Sequence, residues 1–398
     1  MRTVVFGGDG YCGWAAALHL AARGHDVVIA DNFIRRRWDR QLGVSTLTPI
    51  RSLATRLRAW ERSGGRPIAH VRCDVTDFGA VTALFRSHRP ATIVHFAQQR
   101  SAPFSMMGRD AAATTLTNNT LGNLNVLWAM REIVPEAHLV KLGTMGEYGT
   151  PNIEIEEGFI DIEHKGRRDR LPFPKLPGSF YHLTKVHDSD QIYFACRVWG
   201  LRATDLNQGV VYGLQTGETS VSGALVNRLD YDGIFGTVLN RFCIEAALGY
   251  PLTVHGRGGQ TRTFIDIRDS ARCVMLAVES PPAAGEFRVF NQFTEIFSVL
   301  ELARRVVRVG KQLGLDPTID HVANPRVERE THYYSSTNQQ LLALGLQPHL
   351  LSDETLIDLI RTTQRYAHRV DVAQIAANVR WTDRKPESPS PVSQTASA

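Results

Sequence analysis

The chain has few cysteines and no long apolar run. Its 398 residues include five cysteines, and no pair has the CxxC spacing of zinc sites or redox motifs. We therefore expect reduced thiols that fill tight space, with neither a metal site nor disulfides. No stretch of eighteen apolar residues occurs, which argues against a membrane span. The five cysteines are Cys12, Cys73, Cys196, Cys243 and Cys273.

A targeting leader and a concentrated charge of one sign are also missing. Met1 and Arg2 lead straight into an apolar run, so the sequence predicts a cytoplasmic protein. The net charge of +5 comes from basic residues spread among acidic ones, with one tight basic run at 35–37. This distribution favours an enzyme that handles anionic substrates over a nucleic-acid binder, so we expect no nucleic-acid partner.

Apolar runs alternate with helical patterns through the first 150 residues. The pattern predicts strands at 2–6, 26–30, 68–73, 92–96 and 138–142, with a helix over 13–22 between the first two. It predicts a further helix over 179–199 and a strand over 202–207. This alternation is typical of an α/β protein with a Rossmann-type doubly wound parallel sheet.

Three glycines follow the first predicted strand at intervals of three residues. Gly7, Gly10 and Gly13 permit a tight turn, let the backbone approach a pyrophosphate, and lead into a helix N-terminus. The alternative is a glycine-rich turn without a ligand. Asp31 ends the second strand, where a carboxylate accepts hydrogen bonds from a ribose, and this favours NAD over NADP. Nearby Arg35 and Arg36 leave NADP open as the alternative, since they could bind its extra phosphate.

Further cofactor contacts are expected around this loop. Asp74 follows the third strand and should border the adenine, or else cap the next helix. Asn118 lies on a later helix, where it either holds a water or backbone group in a proton relay or is structural. The remaining predicted cofactor residues are Tyr11, Cys12, Asn32 and Arg35, together with Tyr181 and Lys185.

A tyrosine and a lysine stand four residues apart in the predicted helix over 179–199. Tyr181 and Lys185 would lie on one helix face. A phenol has a pKa of about 10, and a fixed ammonium nearby would lower it toward that of a usable base. Thr144, just past the fifth strand, can hydrogen-bond the same substrate oxygen. The alternative is an ordinary pair on a helix surface.

Longer segments carry a more specific resemblance. These segments are GGDGYCGW (7–14), QRSAP (99–103), KLGTMGEYGTPNI (141–153), ATDLNQGVVYG (203–213) and EFRVFNQFTE (286–295). With them, the chain resembles the UDP-sulfoquinovose synthase family, within the extended short-chain dehydrogenase/reductase superfamily, over residues 1 to about 381. The family joins UDP-glucose and sulfite in sulfolipid biosynthesis. The resemblance implies a homodimer, and a glutamate synthase as a possible sulfite donor.

The resemblance also implies a reaction course. Tyr181, with Thr144 and Lys185, would take the proton of the glucose 4-hydroxyl while NAD takes the hydride. Loss of water across carbons 5 and 6 would follow, then addition of sulfite to carbon 6 and return of the hydride.

The segment after Thr144 differs from that of the sugar-nucleotide 4,6-dehydratases. Those enzymes carry an acid and a base directly after the threonine, whereas this chain has Met145, Gly146 and then Glu147. Glu147 or His182 could therefore handle the carbon 5 proton, and Glu147 could instead be a salt-bridged carboxylate. The family pattern has a glutamate where this chain has Gln98, which puts proton transfer and sulfite handling in doubt.

Nucleotide-sugar binding requires fixed cations for the pyrophosphate and amides for the base. We expect a dinucleotide-binding domain over 1–210 with an insertion loop at 151–178, and a smaller, mainly substrate-binding domain over 211–381 interleaved with the last sheet strands. A disordered tail is expected over 382–398. The predicted substrate residues are Arg100, Thr144, Gln208, Asn240, Arg241, Gln260, Arg262 and Arg326.

Two other functions are compatible with these motifs. A UDP-glucose 4-epimerase or nucleotide-sugar 4,6-dehydratase would share the 4-keto intermediate, although Met145 and Gly146 argue against the dehydratase. An NAD-binding sensor without catalysis is the third possibility, and the intact Thr144, Tyr181 and Lys185 argue against it.

Overall fold

A seven-stranded parallel sheet forms the centre of the protein. The computed structural model describes residues 1–328, 332–375 and 379–381, so the tail predicted over 382–398 lies outside the described residues. The strands of the sheet are β1 (Arg2–Phe6), β2 (Asp26–Asp31), β3 (Ala69–Arg72), β4 (Thr92–His95), β5 (His138–Leu142), β8 (Arg202–Gln208) and β12 (Phe287–Gln292). They lie in the order β12-β8-β5-β4-β1-β2-β3, and every neighbouring pair is parallel.

Helices cover both faces of this sheet, as the predicted doubly wound α/β architecture requires. They are α1 (Tyr11–Ala22), α2 (Ile34–Gln41), α3 (Leu53–Arg62), α4 (Phe78–His88), α5 (Ala102–Ser105), α6 (Arg109–Leu116), α7 (Gly122–Ile133), α8 (Phe180–Trp199) and α10 (Ile267–Glu279). On one face, α1 and α10 pack with α3 against the apolar side chains of the sheet. On the other face, α4, α7 and α8 bury a second apolar cluster.

A smaller body of short strands and helices packs beside the carboxyl ends of the sheet. Its elements are β9 (Val210–Tyr212), α9 (Val238–Ala247), β10 (Leu252–His255), β11 (Thr261–Asp266), β13 (Glu295–Ser298), α11 (Val299–Gln312), β14 (Ile319–Val322), α12 (Gln339–Ala343) and α13 (Asp353–Tyr366). They form a three-stranded sheet of order β13-β11-β9, a parallel pair β10-β14 and an apolar core between α9, α11 and α13.

Residues 151–178 differ from the loop that the sequence predicts. They contain an antiparallel hairpin of β6 (Phe159–His164) and β7 (Arg167–Pro172), closed by Lys165 and Gly166 with φ values of 51° and 73°. Left-handed backbone at both turn positions matches the twist of two paired strands, which is why charged residues form a hairpin here. Among the described residues, no helix is long and apolar enough to cross a membrane.

Candidate active site

One cavity of about 580 Å³ lies where the carboxyl ends of the sheet strands face the smaller body. Open α/β sheets bind their ligands at this edge. Three of the predicted residues, Asp74, Glu147 and Asn240, do not line the cavity themselves. The predicted residues that line the cavity are Gly7, Gly10, Tyr11, Cys12, Gly13, Asp31, Asn32, Arg35, Arg100, Asn118, Thr144, Tyr181, His182, Lys185, Gln208, Arg241, Gln260, Arg262 and Arg326.

The glycine loop fits a dinucleotide pyrophosphate. Gly7 has a φ of +77°, and a Cβ added at Gly13 would lie 2.2 Å from the carbonyl oxygen of Gly7. Gly10 caps α1 without a side-chain hydrogen bond, so the first N–H groups of the helix face the cavity with no internal acceptor from the cap. An anion can accept these N–H groups and benefits from the helix dipole.

Asp31 ends β2 and lines the cavity. Its carboxylate accepts the N–H groups of Asp9 at 2.9 Å and Phe33 at 2.7 Å. Arg36 donates to both carboxylate oxygens of Asp9, at 2.5 and 2.8 Å, and Arg35 donates to Asp39 at 2.9 Å. Because both arginines are already paired with carboxylates, this geometry favours ribose hydroxyls over a 2′-phosphate beside Asp31.

One of the two roles predicted for Asp74 was to cap the following helix, and the structure shows that it does not. Its carboxylate accepts hydrogen bonds from Asn32 Nδ2 at 2.8 Å and from Thr76, while Asp77 caps α4 through Ala80 N–H at 3.0 Å. Asp74 therefore orients Asn32, which lines the cavity. Its place beside an adenine stays a prediction.

Tyr181 lies in the first turn of α8 and lines the cavity together with Thr144. Burial raises the pKa of Tyr181 to about 12, and the neighbouring Thr144 hydroxyl and the charge of Arg100 oppose this only in part. Lys185 Nζ lies 5.8 Å from the centre of the phenol ring. The expected lowering of the phenol pKa is therefore wrong for this arrangement, because burial outweighs the nearby positive charges.

Lys185 is held by Gln98, which the sequence indicated only as a departure from the family pattern, and by the backbone of Leu142. Its Nζ donates to the carbonyl oxygen of Leu142 at 2.6 Å and to Gln98 Oε1, while Gln98 Nε2 donates to Asp188 at 2.6 Å. Burial lowers the pKa of Lys185 and raises the pKa of Asp188. Gln98 thus bridges an ammonium and a carboxylate at the cavity wall.

Glu147 is a fully buried member of an ion cluster. Its oxygens accept from Lys175 Nζ, from Lys141 Nζ at 3.4 Å and from Ser189 Oγ at 3.1 Å. Although burial opposes ionisation, the ammonium groups of Lys175 and Lys141 lower the pKa of Glu147 to about 2. This geometry favours the salt-bridged carboxylate over the carbon 5 base. The sequence feature that could have indicated such a cluster is Lys141, a charged residue inside the otherwise apolar strand 138–142.

His182 lines the cavity beside Thr144 and Gly146. Its Nδ1 is hydrogen-bonded to Ser179 Oγ at 3.0 Å, and its Nε2 faces Gly146. Burial, followed by the charges of Arg326 and Arg262, lowers the pKa of His182 to about 3. The imidazole is therefore neutral at pH 7 and able to accept a proton.

The predicted cations line the cavity, and Arg241, Arg262 and Arg326 lie together at one end of it. Arg262 pairs with Glu328, Arg241 Nε lies 3.7 Å from Glu245, and Arg100 pairs with Asp230 at 2.7 Å. His255, which motif reading missed, also lines this end, and burial lowers its pKa to about 4.

The neutral side chains predicted for substrate binding are spread more widely. Gln208 donates to Ser270 at 2.6 Å beside Cys12, so it lies next to the glycine loop. Asn240 accepts the N–H of Gly213 at 3.4 Å, and the Tyr11 hydroxyl donates to the carbonyl oxygen of the same glycine at 2.5 Å. Gln260 Nε2 donates to the carbonyl oxygen of His255 at 3.3 Å. Asn118 Nδ2 donates to Asn119 Oδ1 at 3.0 Å and to Ala97 O at 3.4 Å, on a single π-helical turn.

Comparisons with known proteins agree with this site. The model of the NAD dependent epimerase/dehydratase family matches residues 3–291. The chain is 56% identical over 380 residues to a chloroplastic UDP-sulfoquinovose synthase of Spinacia oleracea, covering 96% of this chain and 79% of the relative. It is 41% identical over 390 residues to a UDP-sulfoquinovose synthase of Sulfolobus acidocaldarius, covering 97% and 98%.

The chain belongs to the UDP-sulfoquinovose synthase family. It is thus an NAD-dependent enzyme with a nucleotide-sugar substrate. A solved structure shares the fold: a UDP-glucose 4-epimerase of Thermus thermophilus, in complex with NAD, superposes with a TM-score of 0.64 at 22% identity, covering 93% of this chain and all of the other. The predicted fold, cofactor and family are confirmed.

Proposed function

We propose that this enzyme converts UDP-glucose and sulfite into UDP-sulfoquinovose and water. The observation that carries the proposal is the composition of the cavity wall next to Thr144. Met145 and Gly146 occupy that wall, and Glu147 is turned away into its ion cluster. The wall therefore offers space and an apolar surface near carbon 6, with His182 as the group that can exchange a proton.

The first chemical step of this proposal is oxidation at carbon 4 of the glucose. NAD, when bound, accepts the hydride from carbon 4 of the glucose and returns it at the end of the turnover. Tyr181 exchanges the proton of the 4-hydroxyl, while Thr144 fixes the same oxygen. Lys185, locked by Leu142 O and Gln98, is placed to reach the nicotinamide ribose and hold the phenol in its electrostatic field.

His182 takes the proton from carbon 5 once the neighbouring ketone has made it acidic. Burial is the largest cause that depresses its pKa, and the charges of Arg326 and Arg262 follow. A diphosphate bound beside these guanidinium groups would weaken their field and raise the pKa of the imidazole by the part that these charges contribute. Substrate binding would thereby make His182 a stronger base than it is in the free enzyme.

We place UDP in the part of the site supplied by residues 211–381, where Arg241, Arg262 and Arg326 line the cavity. Arg100, from the other part, contacts the sugar and the incoming sulfite. We further propose a homodimer, a cytoplasmic location and, as a possible sulfite donor, a glutamate synthase. Sulfolipid biosynthesis is the pathway that this product would enter.

Mass spectrometry of the purified protein with UDP-glucose and sulfite in heavy water tests the reaction. A UDP-hexose sulfonate that carries one solvent deuterium at carbon 5 is the expected product. UDP-galactose, or a dehydrated 4-keto sugar without sulfur, would contradict the proposal and move the protein to the epimerases or dehydratases. A Tyr181→Phe sample is the control, since it retains NAD but lacks the phenol proton.

A further inference from the structure

The end of the described chain returns to the cavity mouth. Trp381 lines the cavity, and its backbone N–H donates to the carbonyl oxygen of Pro325 at 3.1 Å. Its indole ring lies 5.1 Å from the guanidinium carbon of Arg326. Trp381 therefore contacts two successive residues. It binds Pro325 through a backbone hydrogen bond and Arg326 through its aromatic face.

The cations at this end of the cavity are not equally neutralised. Arg262 pairs with Glu328, and Arg241 lies close to Glu245. Arg326 forms no ion pair with any carboxylate in the part of the chain that the structure describes, and its fixed contact is Trp381. Burial lowers the pKa of Arg326, and the more distant charge of Glu328 opposes this only in part. The guanidinium of Arg326 can therefore bind an anion without first breaking an ion pair.

The backbone around Arg326 is shaped to present that charge. Asn324 Oδ1 accepts the N–H of Arg326 at 3.0 Å and thereby fixes the turn that carries it. An indole stacked on one face of a guanidinium leaves the N–H groups along its edge free to donate. A diphosphate accepts hydrogen bonds from such an edge in the plane of the guanidinium.

We propose that Trp381 is a positioning residue for nucleotide binding. Its indole holds Arg326 so that the guanidinium edge donates to the diphosphate of the nucleotide sugar. This inference rests on the proposed function, because it assigns the diphosphate to that end of the cavity. It gives the C-terminal segment a part in substrate affinity and none in the chemistry at carbons 4 to 6.

Titration calorimetry with UDP alone, on the NAD-loaded full-length protein, tests the inference. We expect Trp381→Ala to weaken UDP binding about tenfold, and Trp381→Phe to restore most of the loss because it keeps an aromatic face. Arg380→Ala is the matched control: Arg380 is the exposed neighbour in the same segment, and its loss should leave UDP affinity unchanged. In turnover, the KM for UDP-glucose should rise in Trp381→Ala while kcat changes little.

The outcomes separate the two proposals. A Trp381→Ala protein that binds UDP as tightly as the wild type would overturn the role of Trp381 and leave the proposed function intact. An equal loss in Trp381→Phe, with a lowered melting temperature and lost NAD, would also overturn it, since that pattern indicates a folding role. A wild-type protein that does not bind UDP would refute the nucleotide-sugar assignment and this inference together.

Discussion

Gly146 packs so closely against the imidazole of His182 that position 146 has room only for glycine. A Cβ added at Gly146 would lie 2.4 Å from Nε2 of His182, far inside the contact distance of two such atoms. The imidazole is anchored on its other side by Ser179, so it cannot rotate away without losing that hydrogen bond. The glycine therefore lets His182 face the cavity beside Thr144.

Gly146→Ala is expected to displace His182 and to lower the rate of sulfonate formation by at least about 100-fold, since a misplaced proton-transfer group loses most of its contribution. Bound NAD should be unchanged, because the glycine loop is remote. Gly178→Ala is the matched control: Gly178 also lines the cavity, but its added Cβ would meet nothing within 4 Å. Equal rates in the two variants would contradict the steric argument.

His182→Gln and Glu147→Gln should separate the two candidates for the carbon 5 proton. We expect His182→Gln to lose deuterium incorporation and sulfonate formation about 100-fold while UDP-glucose still reduces the bound NAD, measured by absorbance at the start of turnover.

Glu147→Gln should act on stability, because it leaves Lys141 and Lys175 without their shared carboxylate. The expected loss is roughly 3 kcal/mol in the free energy of unfolding, measured with urea. If Glu147→Gln instead abolishes exchange at full stability, the carboxylate is the base.

Gln98 sets the electrostatic surroundings of Lys185. Gln98→Glu would place a carboxylate beside the ammonium, raise the pKa of Lys185 and move the alkaline limb of the kcat profile upward by about one pH unit. Gln98→Met removes the acceptor and should move the same limb downward, because the charged lysine loses a hydrogen bond. If the pH profiles of kcat superimpose for the wild type, Gln98→Glu and Gln98→Met, then Lys185 does not limit the rate at alkaline pH.

Three histidines with strongly lowered pKa values should make the protein sensitive to mild acid. Burial lowers the pKa of His95, His138 and His182 to about 3 each. Between about pH 6.5 and 3 the unfolded chain binds these protons and the folded protein does not, so stability is lost as the pH falls through this window. These three histidines contribute up to about 4 kcal/mol per pH unit to the slope.

His95→Leu provides the control for this slope. Both ring nitrogens of His95 are buried without a hydrogen-bond partner within the described residues, so its replacement should cost little at pH 7. Urea unfolding at pH 7 and pH 5 should show the slope reduced by the share of one histidine, up to about 1.4 kcal/mol per pH unit. An unchanged slope would mean that His95 is not a neutral buried group.

The elements whose residues interact locally were predictable. Strands 2–6 and 138–142 match β1 and β5 to the residue, and the helix predicted over 179–199 begins at Phe180, one residue after its capping Ser179. The glycine spacing and the Tyr181–Lys185 pair are likewise local, because a turn and one helical turn set their geometry. The sequence by itself therefore determined the fold class, the dinucleotide loop and the spacing of the Tyr181–Lys185 pair.

Only the tertiary structure decided which charges meet. Lys141 reaches Glu147 and Asp205 across separate elements, and Gln98 joins Lys185 to Asp188 over some ninety positions of the chain. The balance between burial and neighbouring charge then sets the sign of each pKa shift, and the strength of both depends on three-dimensional position. Spacing along the chain carries no information about that competition, and this is why the salt-bridged state of Glu147, the neutral His182 and the contact between Trp381 and Arg326 required the folded protein.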